Sequence, residues 1–209
     1  MGCDDRLAQC GAIMYDAEIY SAMPVQGVIR DQDIKYCGGW DDYEGMGISV
    51  VTAYDFVTSE WSVFLSDNLN DLKTLINSRQ IIIGFNNRRF DDNLMAAHGI
   101  HIPESKSYDL WAAIVNTQPP GQRKGFALGE MLAANGIHEK SGLGADAPKH
   151  AQRGRWGFSI TYCLGDTHKQ VKLLRLACAG AMKNPKNGEY MKIKLPWEAI
   201  HIDTGGIFA

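Results

Sequence analysis

The chain lacks any paired-cysteine spacing. Its five cysteines, Cys3, Cys10, Cys37, Cys163 and Cys178, are odd in number and contain no Cys-x-x-Cys. Neither a disulfide framework nor a zinc knuckle fits that pattern. Reduced thiols and a cytoplasmic setting are the expectation. No apolar run approaches the roughly 18 residues of a membrane helix, so no membrane association is expected. The start, Met1-Gly-Cys-Asp-Asp-Arg6, is acidic and lacks the apolar stretch of a signal peptide. Arg6 stands where a myristoylation motif needs Ser or Thr. Internal repeats and low-complexity tracts are absent. Strong net charge is absent too, at −3, and a globally acidic chain is not an obvious nucleic-acid binder.

That small net charge hides an asymmetry. Residues 1 to 117 hold 8 Lys+Arg and 17 Asp+Glu, a balance of −9, while residues 118 to 209 hold 13 and 7, a balance of +6. An acidic half carrying metal ligands beside a basic half facing phosphates fits this division, as do two ordinary solvated surfaces. The length of 209 residues, with 45% apolar and 22% charged residues, is that of a globular chain able to bury a core without cross-links. The expectation is a single domain over 1–209, with a core over about 11–181 and a tail over about 182–209.

Periodicity divides the chain. Ala12 to Tyr15, Gly47 to Tyr54 and Trp61 to Leu65 read as strands joined by short links, an antiparallel start. Gln80 to Phe85 is an apolar run bounded by polar residues, as a buried strand would be. Helices are expected over 71–77, 91–98, 108–116, 128–134 and 160–181. Residues 188 to 195 alternate Tyr190, Lys192 and Lys194 with Met191, Ile193 and Leu195, the pattern of a hairpin strand or half of one. Residues 26–44 and 140–156 read as loops, the second long enough to suggest a function. The expected class is α/β, with a mixed central sheet of about five strands flanked by helices.

Four carboxylates stand out by their settings. Asp16 and Glu18 end the run Gly11-Ala-Ile-Met-Tyr-Asp-Ala-Glu18; two apart on a strand, they share a face. Asp91 closes Gly84-Phe-Asn-Asn-Arg-Arg-Phe-Asp91 at a helix start, where Asp is also a favoured cap. Asp92 is adjacent, but consecutive helical residues point about 100° apart, so only one of the two is expected to face a site. Asp166 closes Tyr162-Cys-Leu-Gly-Asp166, and the spacing of four places Tyr162 and Asp166 on one helix face. Oxygen ligands from separate elements suit a pair of hard cations. Asp31 and Asp33 form a second acid-x-acid pair, which leaves open which pair belongs with Asp91 and Asp166.

The order Asp-x-Glu, Asn-x-x-x-Phe-Asp and Tyr-x-x-x-Asp resembles the three motifs of the DEDD 3′–5′ exonucleases of the ribonuclease-H-like superfamily. Tyr36-Cys-Gly-Gly-Trp-Asp-Asp42 followed by Met46-Gly-Ile-Ser49 is similar to small phage-encoded members. The resemblance spans residues 11 to 181. It implies a ribonuclease-H-like sheet and a metal-dependent 3′–5′ exonuclease acting on DNA or RNA. It also implies that Asp16, Glu18, Asp91 and Asp166 hold two Mg²⁺ or Mn²⁺ ions, with Tyr162 positioning the attacking water. Thr161 stands where a His-type enzyme would carry His, so the Tyr subclass is implied. Asn86, Asn87, Lys149, Arg153 and Arg155 are the candidate substrate contacts, joined by Arg123 and Lys124 for the backbone and by Trp156 or Phe158 for a terminal base. The expected partner is nucleic acid, single-stranded or at 3′ ends. The competing expectation is a catalytically silent nucleic-acid-binding or protein-interaction module on the same fold.

Overall fold

The computed structural model describes residues 2–137 and 144–200. A mixed five-stranded sheet has the order β3-β2-β1-β4-β5, flanked by helices. Strands β1 (Ala12–Ile19), β2 (Ile48–Asp55) and β3 (Glu60–Leu65) form the antiparallel half; β4 (Ile81–Gly84) and β5 (Ser107–Asp109) run parallel to β1. The helices are α1 (Cys3–Gln9), α2 (Tyr43–Met46), α3 (Leu69–Asn77), α4 (Asp91–Ala97), α5 (Leu110–Val115), α6 (Leu128–Ala134), α7 (Ala147–Gln152), α8 (Trp156–Cys178) and α9 (Pro196–Ala199).

Alternation along β1 sorts its side chains. Ile13, Tyr15, Ala17 and Ile19 pack with Leu72, Ile76, Leu94 and Met95 on the α3–α4 face. Ala12 and Met14 point the other way, against Val171 and Leu174 of α8. Each fully buried Leu or Ile stabilises the fold by about 1.5–3 kcal/mol, so both faces hold β1 in register. The next residues on the α8 face are Asp16 and Glu18. A strand face that begins apolar and ends acidic is thus pressed under one long helix.

The parallel pairing of β1 with β4 ends at Met14↔Ile83, while the antiparallel pairing with β2 continues past Asp16↔Thr52 and Glu18↔Val50. The carboxylates therefore stand beyond the end of β4, where the chain turns away. Gly84 and Asn86 make that turn. A Cβ at Gly84 would lie 2.6 Å from the Asn87 Cβ, and Asn86 takes a left-handed conformation at φ 61, which Asn tolerates better than most residues. The mouth of an open α/β sheet, past the carboxyl ends of its strands, is where such folds place ligands.

The structure departs from the sequence expectations in identifiable places. Cys3 and Cys178 are joined as a disulfide, contrary to the expectation of reduced thiols throughout; Cys10, Cys37 and Cys163 are free. Their separation of 175 residues gives no spacing signal. The two meet because α1 packs along the end of α8, where Arg175 also pairs with Asp4 at 2.5 Å. Helix α8 starts at Trp156 and ends at Cys178, four residues earlier and three earlier than expected. Tyr108 and Asp109, expected in a helix, belong to β5. The stretch read as a loop over 140–156 contains α7 and a 3₁₀ turn at Gly144–Asp146, while residues 140–143 lie outside the described residues. Residues 188–195 form no strand: one bridge, Lys183↔Tyr190, is present. Their alternation is nonetheless physical, because Met191 and Ile193 are buried against the core as extended chain. Residues 201–209 of the expected tail lie outside the described residues. No described helix is long and apolar enough to cross a membrane.

Candidate active site

Three elements meet at the notch beyond β4. Strand β1 supplies Asp16 and Glu18, the first residue of α4 is Asp91, and α8 supplies Tyr162, Cys163, Asp166, Lys169 and Gln170. Among the described residues, Asp16, Glu18 and Cys163 form the one group of three metal-competent side chains, with ligand atoms all within 4.8 Å of one another. Asp91 and Asp166 join this group electrostatically: the Glu18 carboxyl feels Asp16, Asp166 and Asp91.

The electrostatics record how crowded the acids are. Burial under α8, followed by the charge of Asp166, pushes the Asp16 carboxyl up to about 7. Burial raises Glu18 well above its ordinary range, and so do the three neighbouring carboxylates. Burial also raises Asp91, with Asp16 and Asp92 adding to the effect. Like charges forced together in a poorly hydrated site disfavour ionisation. The polar neighbours soften this only in part. Gln170 Nε2 donates to Asp16 Oδ1 at 2.8 Å, and Lys169 Nζ donates to Asp166 Oδ1 at 2.7 Å.

A second layer fixes these groups. Asp92 accepts from Tyr15 Oη at 2.5 Å, Asn87 Nδ2 at 3.0 Å and Ser107 Oγ at 2.6 Å. It therefore points away from the acids and anchors α4, leaving Asp91 to face them. Asp91 also takes a hydrogen bond from the backbone of Ala17, between the two β1 carboxylates. Directly across from Asp16, Thr52 shares hydrogen bonds with Thr167 Oγ1 at 2.6 Å and Cys163 Sγ at 3.2 Å. The Cys163 thiol in turn lies 3.4 Å from the Asp16 carbonyl oxygen. Asp109 accepts from the Asn86 and Ala112 amides, tying the turn after β4 to the start of α5.

Tyr162 is half-buried, and its hydroxyl is raised by burial first and then by Asp166, Glu18 and Asp16. It stays protonated at neutral pH. Gly144 closes over it, for a Cβ there would sit 2.8 Å from the Tyr162 Oη.

The donor set fits a hard divalent cation. Its carboxylate oxygens come from separate elements and repel one another, which a cation would relieve. The Cys163 thiol, the soft member of the closest group, is engaged with Thr52 and the Asp16 carbonyl and is held protonated by burial. Gln170 Oε1, buried beside Asp16, finds no hydrogen-bond partner.

The structure separates the remaining candidates. Asn86 lines a cavity of about 420 Å³ on the Asp16 side, together with Arg89, Trp111 and Gln170. Asn87, read as a substrate contact, is 1% exposed and spends its amide on Asp92 and Ser107; burial makes it a support. Lys149 and Arg153 each carry an acidic partner at the protein surface, and Lys149 also lines the cavity on the Glu18 side. Lys149 pairs with Asp31 at 3.4 Å, and Arg153 pairs with Asp33 at 3.1 Å. Those pairs place Asp31 and Asp33 on an exposed loop tied to α7, away from the first-motif role left open by the sequence. Gln152 reinforces the tie by donating to the Tyr20 and Lys35 carbonyl oxygens. Arg155 precedes α8 and is exposed, as are Arg123 and Lys124. Trp156 stacks on Tyr20 and Phe158 on His150, so both aromatic rings already have partners.

The sequence reading missed a second cavity, of about 450 Å³ on the Glu18 side, bordered by Tyr36, Trp40, Phe90 and Val28. Trp40 is 69% exposed and meets Phe90 edge-on. An aromatic residue beside a Gly-Gly pair in a polar stretch was the available signal. The acids thus lie between two cavities.

No protein-family model matches the chain, and no curated protein matches it. Among solved structures, the chain is similar to the family B DNA polymerase from the hyperthermophilic archaeon Pyrobaculum calidifontis. The likeness covers 85% of this chain and 26% of that one, at 10% identity and a TM-score of 0.47. The chain spans about a quarter of that polymerase chain, and the functional reading is carried by the chain's own residues.

Proposed function

We propose that the chain is a metal-dependent 3′–5′ exonuclease of the DEDD type, hydrolysing phosphodiester bonds of DNA or RNA. The observation that carries this reading is the meeting of Asp16, Glu18 and Asp91 with Asp166 beyond the end of β4, each of the first three pushed up by burial and by its neighbours. Unrelieved repulsion of that kind is costly to keep unless a cation occupies the site in function.

In this reading Asp16, Glu18, Asp91 and Asp166 hold two Mg²⁺ or Mn²⁺ ions. Such ions acidify a water and neutralise the charge that develops on the attacking and leaving oxygens. Tyr162, held protonated, orients that water through its hydroxyl and does not act as the base. Gln170 and Lys169 steady Asp16 and Asp166. The nucleic acid backbone runs past Asn86 and Arg89 on one side, and a base enters the aromatic cavity at Trp40 on the other. Arg155 remains available to a phosphate, and such contacts weaken with salt.

The test is cleavage of 5′-labelled single-stranded and duplex DNA and RNA with Mg²⁺, Mn²⁺ or EDTA, beside Asp166→Asn. A metal-dependent ladder shortening from the 3′ end and lost in the variant is expected. Binding without cleavage of any substrate would replace this reading with the silent binding module.

A further inference from the structure

Lys169 is the unusual member of the site. It is 2% exposed, yet its ammonium lies 2.7 Å from Asp166 Oδ1, and its charge also reaches Asp16. Buried lysines are rare unless paired, and this one is paired with a residue assigned above to a metal. It sits one helical turn beyond Asp166, so the same face of α8 presents a carboxylate and a fixed cation together. Its neighbours on that helix, Gln170, Val171 and Leu173, are themselves buried. The ammonium is thus buried with its partner carboxylate beside it.

We infer that Lys169 is a resident cation that positions Asp166 and sets how tightly the site takes a divalent ion. The inference rests on the reading of these carboxylates as metal ligands. Two consequences follow from one charge. Before an ion arrives, Lys169 offsets part of the repulsion among the acids and keeps Asp166 turned inward. When an ion arrives, it meets a positive charge already on Asp166 and must share that carboxylate. Charges a few ångströms apart in a half-buried site interact strongly, so the ion is held more loosely than four free carboxylates would hold it.

The variants are Lys169→Met, which keeps the length without the charge, Lys169→Gln, which keeps a donor, and Lys169→Arg, which keeps the charge. The probe is Mn²⁺ alone, by calorimetry and by thermal unfolding with and without EDTA, with Asp16→Asn as the control for the site. Lys169→Met and Lys169→Gln are expected to tighten Mn²⁺ about tenfold and to melt several degrees below the wild type in EDTA. Lys169→Arg is expected to stay near wild type in both. A Lys169→Met protein that is unfolded in EDTA and folds on adding Mn²⁺ also supports the inference. Wild-type Mn²⁺ affinity in Lys169→Met and Lys169→Gln, with binding still lost in Asp16→Asn, would overturn this inference alone. Mn²⁺ binding unaffected by Asp16→Asn would overturn it together with the metal-site reading.

Discussion

Replacing Asp16 by Asn removes one negative charge from the crowded site while keeping an acceptor for Gln170. The Asp16 carboxyl is held at about 7, against an ordinary 3.8, by burial and by Asp166. Its folded pKa lies above its unfolded one, so the stability it contributes is fully present below about pH 4 and is lost as the pH rises through 7. For a group moved that far, the loss by pH 8 is up to ~4 kcal/mol. Part of it is shared with Glu18 and Asp91, which are raised by the same neighbours. Asn cannot ionise, so Asp16→Asn escapes this loss. In EDTA, urea unfolding of the wild type and Asp16→Asn should agree closely only at or below about pH 4, where Asp16 is largely protonated in the folded and unfolded chains alike. They should diverge as the pH rises to 8.5, with the variant more stable by about 2–4 kcal/mol. Mn²⁺ should close the gap by stabilising the wild type alone. A difference between the two proteins that does not change between pH 4 and 8.5 would refute the claim that the acids repel one another in the folded chain.

Tyr162→Phe should slow cleavage by about two orders of magnitude, the usual worth of one preorganised hydrogen-bonding group, and leave Mn²⁺ affinity unchanged by calorimetry; a fall in affinity would instead make Tyr162 part of the metal's support. Asp92→Ala should cost about 2–4 kcal/mol in urea unfolding, because Tyr15 and Ser107 lose a buried acceptor, and should also lower activity through Asp91. An unfolding change under about 0.5 kcal/mol, the usual size for a surface change, would show that Asp92 does not anchor α4.

Much of the sheet was legible because its strands are long apolar runs. Ile81–Gly84 and Ile48–Asp55 announce themselves, and the antiparallel start follows from short links. Strand β5 was not legible: Ser107, Tyr108 and Asp109 carry no apolar pattern, and the strand exists because β4 offers a free edge beside it. Helix α1 is seven residues long and is held by Leu7, Cys3 and Asp4 against distant partners, none of which periodicity can reveal. The tail misled for a different reason. Alternation reports one buried face, and Met191 and Ile193 have one, but it cannot report whether a neighbouring strand accepts the hydrogen bonds. At the site, the locations of Asp16, Glu18, Asp91, Tyr162 and Asp166 were legible as local spacings. Their supports were not. Thr52 matters only because register sets it opposite Asp16, and Asp92 because Tyr15 and Ser107 lie behind it. Lys169 and Gln170 had a usable signal, three and four residues past Asp166 on the same helix face. The ion pairs of Lys149 and Arg153 were not legible because their acidic partners, Asp31 and Asp33, lie more than a hundred positions away.

Helix α8 carries Tyr162, Cys163, Asp166, Lys169 and Gln170 on one rigid rod, and its far end is pinned to α1 through Cys3–Cys178 and Asp4–Arg175. From Asp166 to Cys178 the rod rises ~18 Å. A tilt of about 2° about the pinned end would carry Asp166 sideways by ~0.6 Å, beyond the tolerance of about 0.5 Å that catalytic geometry allows. The alignment of these side chains is therefore decided partly at the far end of α8, and a shift at that pinned end would register as lost alignment at the mouth of the sheet.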